Sequence, residues 1–199
     1  MGGFGKLGQR HEGDEILERA APQAWGTQAH CGDLPFLIKR NGDWLYKGSL
    51  ITRKPMVCLF ASTLKRDALG GYVLETPVER GRIEVEDVPF IVVEMNWQGS
   101  FRNQTISFVT NVGDTIMAGR AHPLRVVHDG VSAEPKPYLH VRDGEGRFAV
   151  EARLNRPTYY ELVALAEPGL VDGRRVMGVW SDGIFFSLGE LPAADCDDL

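Results

Sequence analysis

Arginine and tyrosine side chains occur together near the ends of the predicted strands, and they are well suited to binding chemistry. The guanidinium group of arginine is a planar cation that fits phosphate or carboxylate, while tyrosine stacks on rings and hydrogen-bonds through its hydroxyl. We select Arg53, Arg66 and Arg153 as anion-binding residues, and Tyr72 and Tyr138 as residues that flank a ring. Together they predict a pocket for a small anionic, nucleotide-like ligand.

Two hydrogen-bonding residues complete this predicted ligand site. Thr76 offers a hydroxyl, and Asp87 offers a carboxylate that accepts a hydrogen bond from a group such as a ribose hydroxyl. The alternative is that the arginines form structural ion pairs with acidic neighbours such as Glu75, Glu86 and Glu151. The sequence leaves both interpretations open.

The sequence contains no motif that names a reaction. Gly3, Gly5 and Gly8 have the spacing of a dinucleotide fingerprint, but no strand precedes them, as that chemistry requires. The five histidines and three cysteines show no metal-binding spacing. We therefore predict no metal and no cofactor, and the sequence favours a chain that is not an enzyme.

Two other function classes remain open at this stage. An enzyme acting on a phosphorylated metabolite needs a general acid–base pair, for which Glu79, Asp87 and His140 are the candidates. A protein-interaction module would instead use a sheet edge or an apolar patch to bind a protein partner.

Charge and hydropathy narrow the set of partners. The net charge of −5 argues against a nucleic-acid polymer as partner, because such domains carry a basic face. No stretch approaches the roughly 20 apolar residues of a membrane span, and the N-terminus lacks the apolar core of a signal peptide. We expect a cytoplasmic protein that does not contact a membrane.

Short signatures that recur in the same order predict a tandem duplication. The matches, at spacings of 65 to 71 residues, are Gly42–Gly48 with Gly113–Gly119, Tyr72–Leu74 with Tyr138–His140, Gly81–Glu86 with Gly146–Glu151, and Pro89 with Pro157. Self-similarity at a nearly constant spacing indicates repeated structural units. Clefts between domains are a preferred place for small-molecule sites, so we expect the ligand at the interface of the two copies.

The elements that position these residues are short strands joined by Gly and Asp turns, with a few short helices. Asn41-Gly42 predicts a hairpin over residues 34–47, and Lys54-Pro55 predicts the start of a helix that ends near Leu64. The pattern predicts an α+β fold with mostly antiparallel strands. We divide the chain into a flexible N-terminus with a short helix (1–29), a first copy (30–99), a second copy (100–191) and an acidic tail (192–199).

Longer blocks of sequence resemble a bacterial family known as domain of unknown function 1285. The blocks that carry the resemblance are Trp44-x-Tyr46-x-Gly48-Ser49-x-Ile51-x-Arg53, Met56-Val57-x-Leu59-Phe60, Gly71-Tyr72-x-Leu74-x-Thr76-Pro77-x-Glu79, Ile83-x-Val85-x-Asp87-x-Pro89-Phe90 and Trp180-Ser181-x-Gly183-x-x-Phe186-x-Leu188-Gly189. The resemblance covers residues 30–190.

The resemblance implies a duplicated core whose C-terminal half is like a pleckstrin-homology fold. It also implies a site for a nucleotide-like ligand between the halves, and a role in signalling or stress response. A pleckstrin-homology-like fold does not bring phosphoinositide binding with it, because function depends on the site and not on the fold.

Overall fold

The computed structural model describes residues 29–128 and 134–191. The short helix predicted in the N-terminal segment and the acidic tail lie outside the described residues. Within the described part of the chain, the strands form three sheets, accompanied by two α-helices and a short 3₁₀ helix. The chain is therefore mostly β, with mixed and antiparallel sheets.

The first unit is a six-stranded sheet with one helix. Its strands are β1 (Ala29–Ile38), β2 (Trp44–Tyr46), β3 (Ser49–Leu50), β4 (Leu64–Arg66), β5 (Tyr72–Glu75) and β6 (Glu79–Val85). The first helix (Lys54–Thr63) connects β3 to β4, and Pro55 lies in its first turn, as predicted. The strand order is β3-β2-β1-β6-β5-β4, in which β1 and β6 are parallel and the other pairs are antiparallel.

The second unit repeats this arrangement. Its strands are β7 (Phe90–Gln98), β8 (Thr105–Thr110), β9 (Thr115–Met117), β10 (Leu124–Val127), β11 (Lys136–Asp143) and β12 (Ala149–Leu154). The strand order is β9-β8-β7-β12-β11-β10, again with the first and last strands of the unit parallel at the centre. The two units therefore have the same topology.

The hydrogen bonds at the ends of the central strands show which residues of the two units are equivalent. The amide of Glu86 donates to the Ile38 carbonyl, and in the second unit the amide of Asn155 donates to the Val92 carbonyl. Glu86 is therefore equivalent to Asn155, four positions beyond the Glu151 that the sequence signatures match to it. The signatures that begin at Tyr72 and Gly81 therefore match equivalent strands of the two units, but they do not align equivalent residues.

The first signature pairs turns that are not equivalent. Gly42 lies between the first and second strands of its unit, whereas Gly113 lies between the second and third strands of its unit. In addition, β7 falls within the residues 30–99 assigned to the first copy, although it pairs with β8 and β12. The division of the chain at residues 99 and 100 stays a prediction.

The remaining elements are a second helix and a third sheet. The second helix (Arg156–Ala164) begins at Asn155, whose side-chain oxygen accepts a hydrogen bond from the Thr158 amide at 2.9 Å. Three antiparallel strands follow, namely β13 (Glu167–Val171), β14 (Arg174–Ser181) and β15 (Ile184–Glu190). The pleckstrin-homology-like form implied for the C-terminal half is not confirmed by this topology.

One hydrophobic core joins the units. Trp44 in the first unit and Phe90 and Phe108 in the second are at most 1% exposed and belong to the same buried cluster. Along β8 and β12, buried and half-buried residues alternate, so each strand turns one face to the core. Among the described residues, no helix is long and apolar enough to span a membrane.

Candidate functional site

The hairpin between β11 and β12 holds the second unit against the first. The Glu145 amide donates to the Arg66 carbonyl at 2.7 Å, and Arg66 Nη1 donates to the Ala149 carbonyl at 2.8 Å. The Glu145 carboxylate also pairs with Arg80 at 2.8 Å. Backbone and side-chain bonds therefore fix the relative position of the units.

Asp87, in the connection between the units, lies at the centre of a polar cluster. Its Oδ1 accepts a hydrogen bond from the Tyr138 hydroxyl at 3.0 Å, and its Oδ2 accepts one from Arg153 Nη1 at 3.1 Å. Arg125 stacks over the Tyr138 ring at 4.5 Å and forms a bidentate pair with Glu151. Three of the predicted ligand-binding residues thus contact one another.

Two more predicted residues, Arg66 and Tyr72, pack beside this interface. The Arg66 guanidinium lies 4.8 Å from the centre of the Tyr72 ring and donates through Nε to the Gly70 carbonyl. The Tyr72 hydroxyl is buried and has no hydrogen-bond partner among the described residues. The guanidinium of Arg66 is therefore committed to protein carbonyls, as a structural group would be.

The remaining two predicted residues, Arg53 and Thr76, lie elsewhere. Both line a groove of about 620 Å³ beside the first helix, which we call the first-unit groove. Its lining is formed by Leu34, Pro35, Phe36, Tyr46, Ser49, Leu50, Ile51, Thr52, Arg53, Met56, Phe60, Thr63, Leu74, Thr76 and Glu79. Whether any of the seven predicted residues binds a ligand stays a prediction.

Both tyrosines of the interface have raised pKa values. Burial raises the pKa of Tyr72 to about 12, and the nearby Arg66 opposes part of that shift. Burial also raises the pKa of Tyr138 to about 12, assisted by the charge of Asp87 and the hydrogen bond to it. Both hydroxyls therefore stay protonated well above the ordinary tyrosine pKa of about 10.

We expect the protein to lose stability as the pH rises from about 10 through 12. A tyrosine whose pKa is higher in the folded than in the unfolded state contributes its full stabilisation at pH values below the unfolded-state pKa. This contribution is lost as the pH rises through the folded-state pKa. Urea unfolding at a series of alkaline pH values measures the decline. In Tyr72→Phe and Tyr138→Phe the decline should be smaller, whereas it should persist in the exposed control Tyr160→Phe. An equal decline in all three variants would contradict this assignment.

A cleft of about 500 Å³ opens where residues of both units meet, and we call it the inter-unit cleft. The residues that line it are Arg40, Asn41, Ile91, Glu134, Pro135, Pro137, Arg153, Leu154, Asn155, Arg156, Tyr159 and Tyr160. Of the predicted residues, Arg153 lines this cleft. Asp87 is bonded to Arg153, and Tyr138 is bonded to Asp87.

The turn that carries Arg40 and Asn41 is held both by the end of the first unit and by the second unit. The Arg40 amide donates to Glu86 Oε2 at 2.8 Å, and Asn111 Nδ2 donates to the Gly42 carbonyl at 3.3 Å. Gly42 has a φ of 87°, and a Cβ atom there would lie 2.7 Å from the Asn111 side chain. Glycine is therefore needed for both the turn and its close approach to the second unit.

The arginines of the inter-unit cleft differ in how they are paired. Arg156 donates to Glu134 at 2.7 Å, and this exposed pair lowers the pKa of the Glu134 carboxyl. Arg153 uses one of its five N–H donors on Asp87. The exposed Arg40 side chain has no ion pair within residues 29–128 and 134–191. Arg40 and Arg156 are the cations that the selection of ligand residues missed.

The three candidate acid–base residues lie in different parts of the structure and bond to different partners. Glu79 lines the first-unit groove, Asp87 bonds Tyr138 and Arg153, and His140 Nε2 lies 3.0 Å from Asp143. No hydrogen bond or ion pair between described residues joins the three groups. Within the same residues, no group of three or more His, Cys, Asp or Glu side chains is placed to hold a metal ion.

Comparisons with known proteins identify relatives that cover most of the chain. A model of the DUF1285 N-terminal domain, a domain of unknown function, matches residues 22–88, and a model of the DUF1285 C-terminal domain, from a protein of unknown function, matches residues 89–188. The crystal structure of a DUF1285 family protein from Silicibacter pomeroyi DSS-3 is 38% identical, covers 92% of this chain and 97% of its own, and has a TM-score of 0.73.

A second crystal structure of a DUF1285 family protein, from Shewanella baltica OS155, is 25% identical. It covers 66% of this chain and 91% of its own, with a TM-score of 0.48. No curated protein matches the chain.

Proposed function

The chain belongs to the DUF1285 family, and from its geometry we propose that it binds a small anionic, nucleotide-like ligand in the inter-unit cleft without catalysing a reaction. One observation carries the proposal: Arg40, Arg153 and Arg156 line the same cleft between the two units. The volume of about 500 Å³ lies in the range of small-molecule sites.

The charge of the cleft supports an anionic ligand. Among the described residues that line it, Glu134 is the single acidic one, against three arginines. A phosphate would displace water from Arg40 without breaking an existing ion pair of that side chain, and the exposed pair of Arg156 with Glu134 holds little energy. Asp87 orients the Arg153 guanidinium by accepting one of its hydrogen bonds, and Tyr138 in turn donates to Asp87. The other N–H groups of Arg153 stay available for a ligand.

The walls of the cleft support a ligand with a planar ring. Tyr159 and Tyr160 follow one another in the first turns of the second helix, and Ile91 and Leu154 add apolar surface. Tyrosine rings stack on bases, and aliphatic side chains exclude water from the contact. A nucleotide combines the anion and the ring that these two surfaces require.

A signalling or stress-response role fits such a binder. The candidate catalytic residues bond to separate partners, whereas the cleft is built from both units and its occupation would bridge them. The matching strand order supports an origin of the units by tandem duplication, which creates such a seam between them. A bound nucleotide would contact both units, and the fraction of occupied chains would follow the nucleotide concentration.

We expect at least one nucleotide to bind with one site per chain, and Arg40→Ala to weaken that binding about tenfold or more. The loss follows from removing a charge-assisted hydrogen bond, which is worth about 1.5–3 kcal/mol. A thermal-shift panel of adenosine and guanosine mono- and triphosphates and cyclic dinucleotides identifies the nucleotide. Titration calorimetry then compares the variants. A ligand at 100 times its Kd stabilises the fold by about 2.7 kcal/mol.

Arg175→Ala is the matched control, because Arg175 is exposed on β14, outside the cleft, and should bind as the unchanged chain does. Arg40 is also exposed, so a folding defect should not obscure the result. The proposal fails if no member of the panel shifts the melting temperature, or if Arg40→Ala and Arg175→Ala bind equally well.

A further inference from the structure

We propose that the first-unit groove is a second ligand site, for a hydrocarbon chain that carries one carboxylate, with the carboxylate held at the Arg53 end. Of the described residues that line this groove, none also lines the inter-unit cleft. The site therefore does not depend on the proposed nucleotide ligand, and the two can be tested separately.

The walls of the groove are apolar and partly open to solvent. Phe36 packs against Tyr46 and Phe60 with ring centres 4.9 and 4.8 Å apart, which forms an aromatic floor. Leu50 and Met56, which also line the groove, are 53% and 42% exposed. Covering such a surface with a hydrocarbon chain removes apolar area from water, which is the main driving force for binding of this kind.

The groove is elongated because it follows the first helix. Arg53 immediately precedes that helix and Thr63 is its last residue, and both line the groove. Ten residues at about 1.5 Å each give a length of about 15 Å. A volume of about 620 Å³ distributed along this length fits an extended chain better than a compact ring system.

The two ends of the groove differ in charge. Ser49, Thr52 and Arg53 line one end, and their side chains form no hydrogen bond or ion pair with another described residue. Two hydroxyls and a guanidinium match the several acceptor positions of a carboxylate. Glu79, the first residue of β6, forms hydrogen bonds with Thr76. The pairing of Leu64 with Leu74 brings Thr76 close to Thr63, so Glu79 lies toward that end of the groove and would repel a second anionic group. The ligand therefore has one anionic end.

Titration calorimetry with dodecanoate, below the concentration at which it forms micelles, tests this inference. We expect saturable binding of one molecule per chain, weakened about tenfold or more in Arg53→Gln and unchanged in the control Arg175→Ala. Dodecanedioate, which carries a carboxylate at both ends, should bind more weakly than dodecanoate because of Glu79.

A second variant separates the hydrocarbon contact from the charge contact. Met56→Gln places a polar group on an exposed wall residue, so the fold should persist while dodecanoate affinity falls. Arg40→Ala should leave dodecanoate binding unchanged, since Arg40 lies in the other site. The inference is overturned if the unchanged chain does not bind dodecanoate saturably. It is equally overturned if Arg53→Gln and Met56→Gln both bind it as the unchanged chain does.

Discussion

Replacing Arg142 by alanine is expected to lower the free energy of unfolding by about 2–4 kcal/mol. The Arg142 guanidinium, carried by β11 of the second unit, donates to the Ala61 carbonyl at 2.7 Å and the Leu64 carbonyl at 2.9 Å in the first unit. Its removal leaves two carbonyl groups of buried residues without these donors and removes the contact of Arg142 with the Phe90 ring. Burial lowers the pKa of Arg142, but an arginine remains charged.

Urea unfolding of three variants measures this effect. Arg142→Lys should lose less than Arg142→Ala, because an ammonium group keeps the charge but cannot reproduce the planar fork. The exposed Arg175→Ala should change stability by no more than about 0.5 kcal/mol. A loss in Arg142→Ala no greater than that of Arg175→Ala would show that these bonds do not hold the units together.

Replacing Gly144 by alanine is expected to destabilise the chain by about 1–3 kcal/mol. A Cβ atom on Gly144 would clash with the Phe148 carbonyl oxygen and would lie 2.9 Å from the Arg66 carbonyl oxygen. Both are backbone atoms, and Arg66 belongs to the other unit, so relief requires the hairpin to move away from β4. Overpacking of this kind has a cost of about 1–3 kcal/mol.

Gly189→Ala serves as the comparison, since a Cβ atom there meets only the His128 ring, at ordinary van der Waals distances of 3.8 and 3.9 Å. Its melting temperature should stay unchanged or rise slightly, because alanine reduces the entropy of the unfolded chain. Thermal unfolding of both variants measures the difference. Equal melting temperatures would mean that the hairpin tolerates the added methyl group and does not fit tightly against the first unit.

Local sequence signals predicted local structure well. The hairpin over residues 34–47 follows from Asn41-Gly42, and the first helix begins at Lys54-Pro55 as expected. The parallel pairs of β1 with β6 and β7 with β12 were not predicted, because they join strands far apart in the sequence. Pairing at that distance depends on the packed core, which no short motif encodes.

The residues predicted for the ligand site were also only partly correct as a group, because the fold brings some of them together and separates others. Asp87, Tyr138 and Arg153 were selected for chemistry, and the fold brings them into contact. Arg53 and Thr76 were selected on the same grounds, yet they line the first-unit groove because they flank the first helix and β6. Arg40 was missed because it lies in a turn whose approach to the second unit depends on Asn111, a contact across the chain.

Nuclear magnetic resonance titration tests most directly whether the inter-unit cleft binds a nucleotide. The nucleotide that gives the largest thermal shift is added to isotopically labelled protein, and the amide and arginine Nε–H signals are followed. We predict saturable shifts at Arg40, Arg153 and Arg156, together with the amides of Tyr159 and Tyr160. Shifts confined to residues outside the cleft, or no nucleotide-dependent shifts at all, would contradict the proposed function.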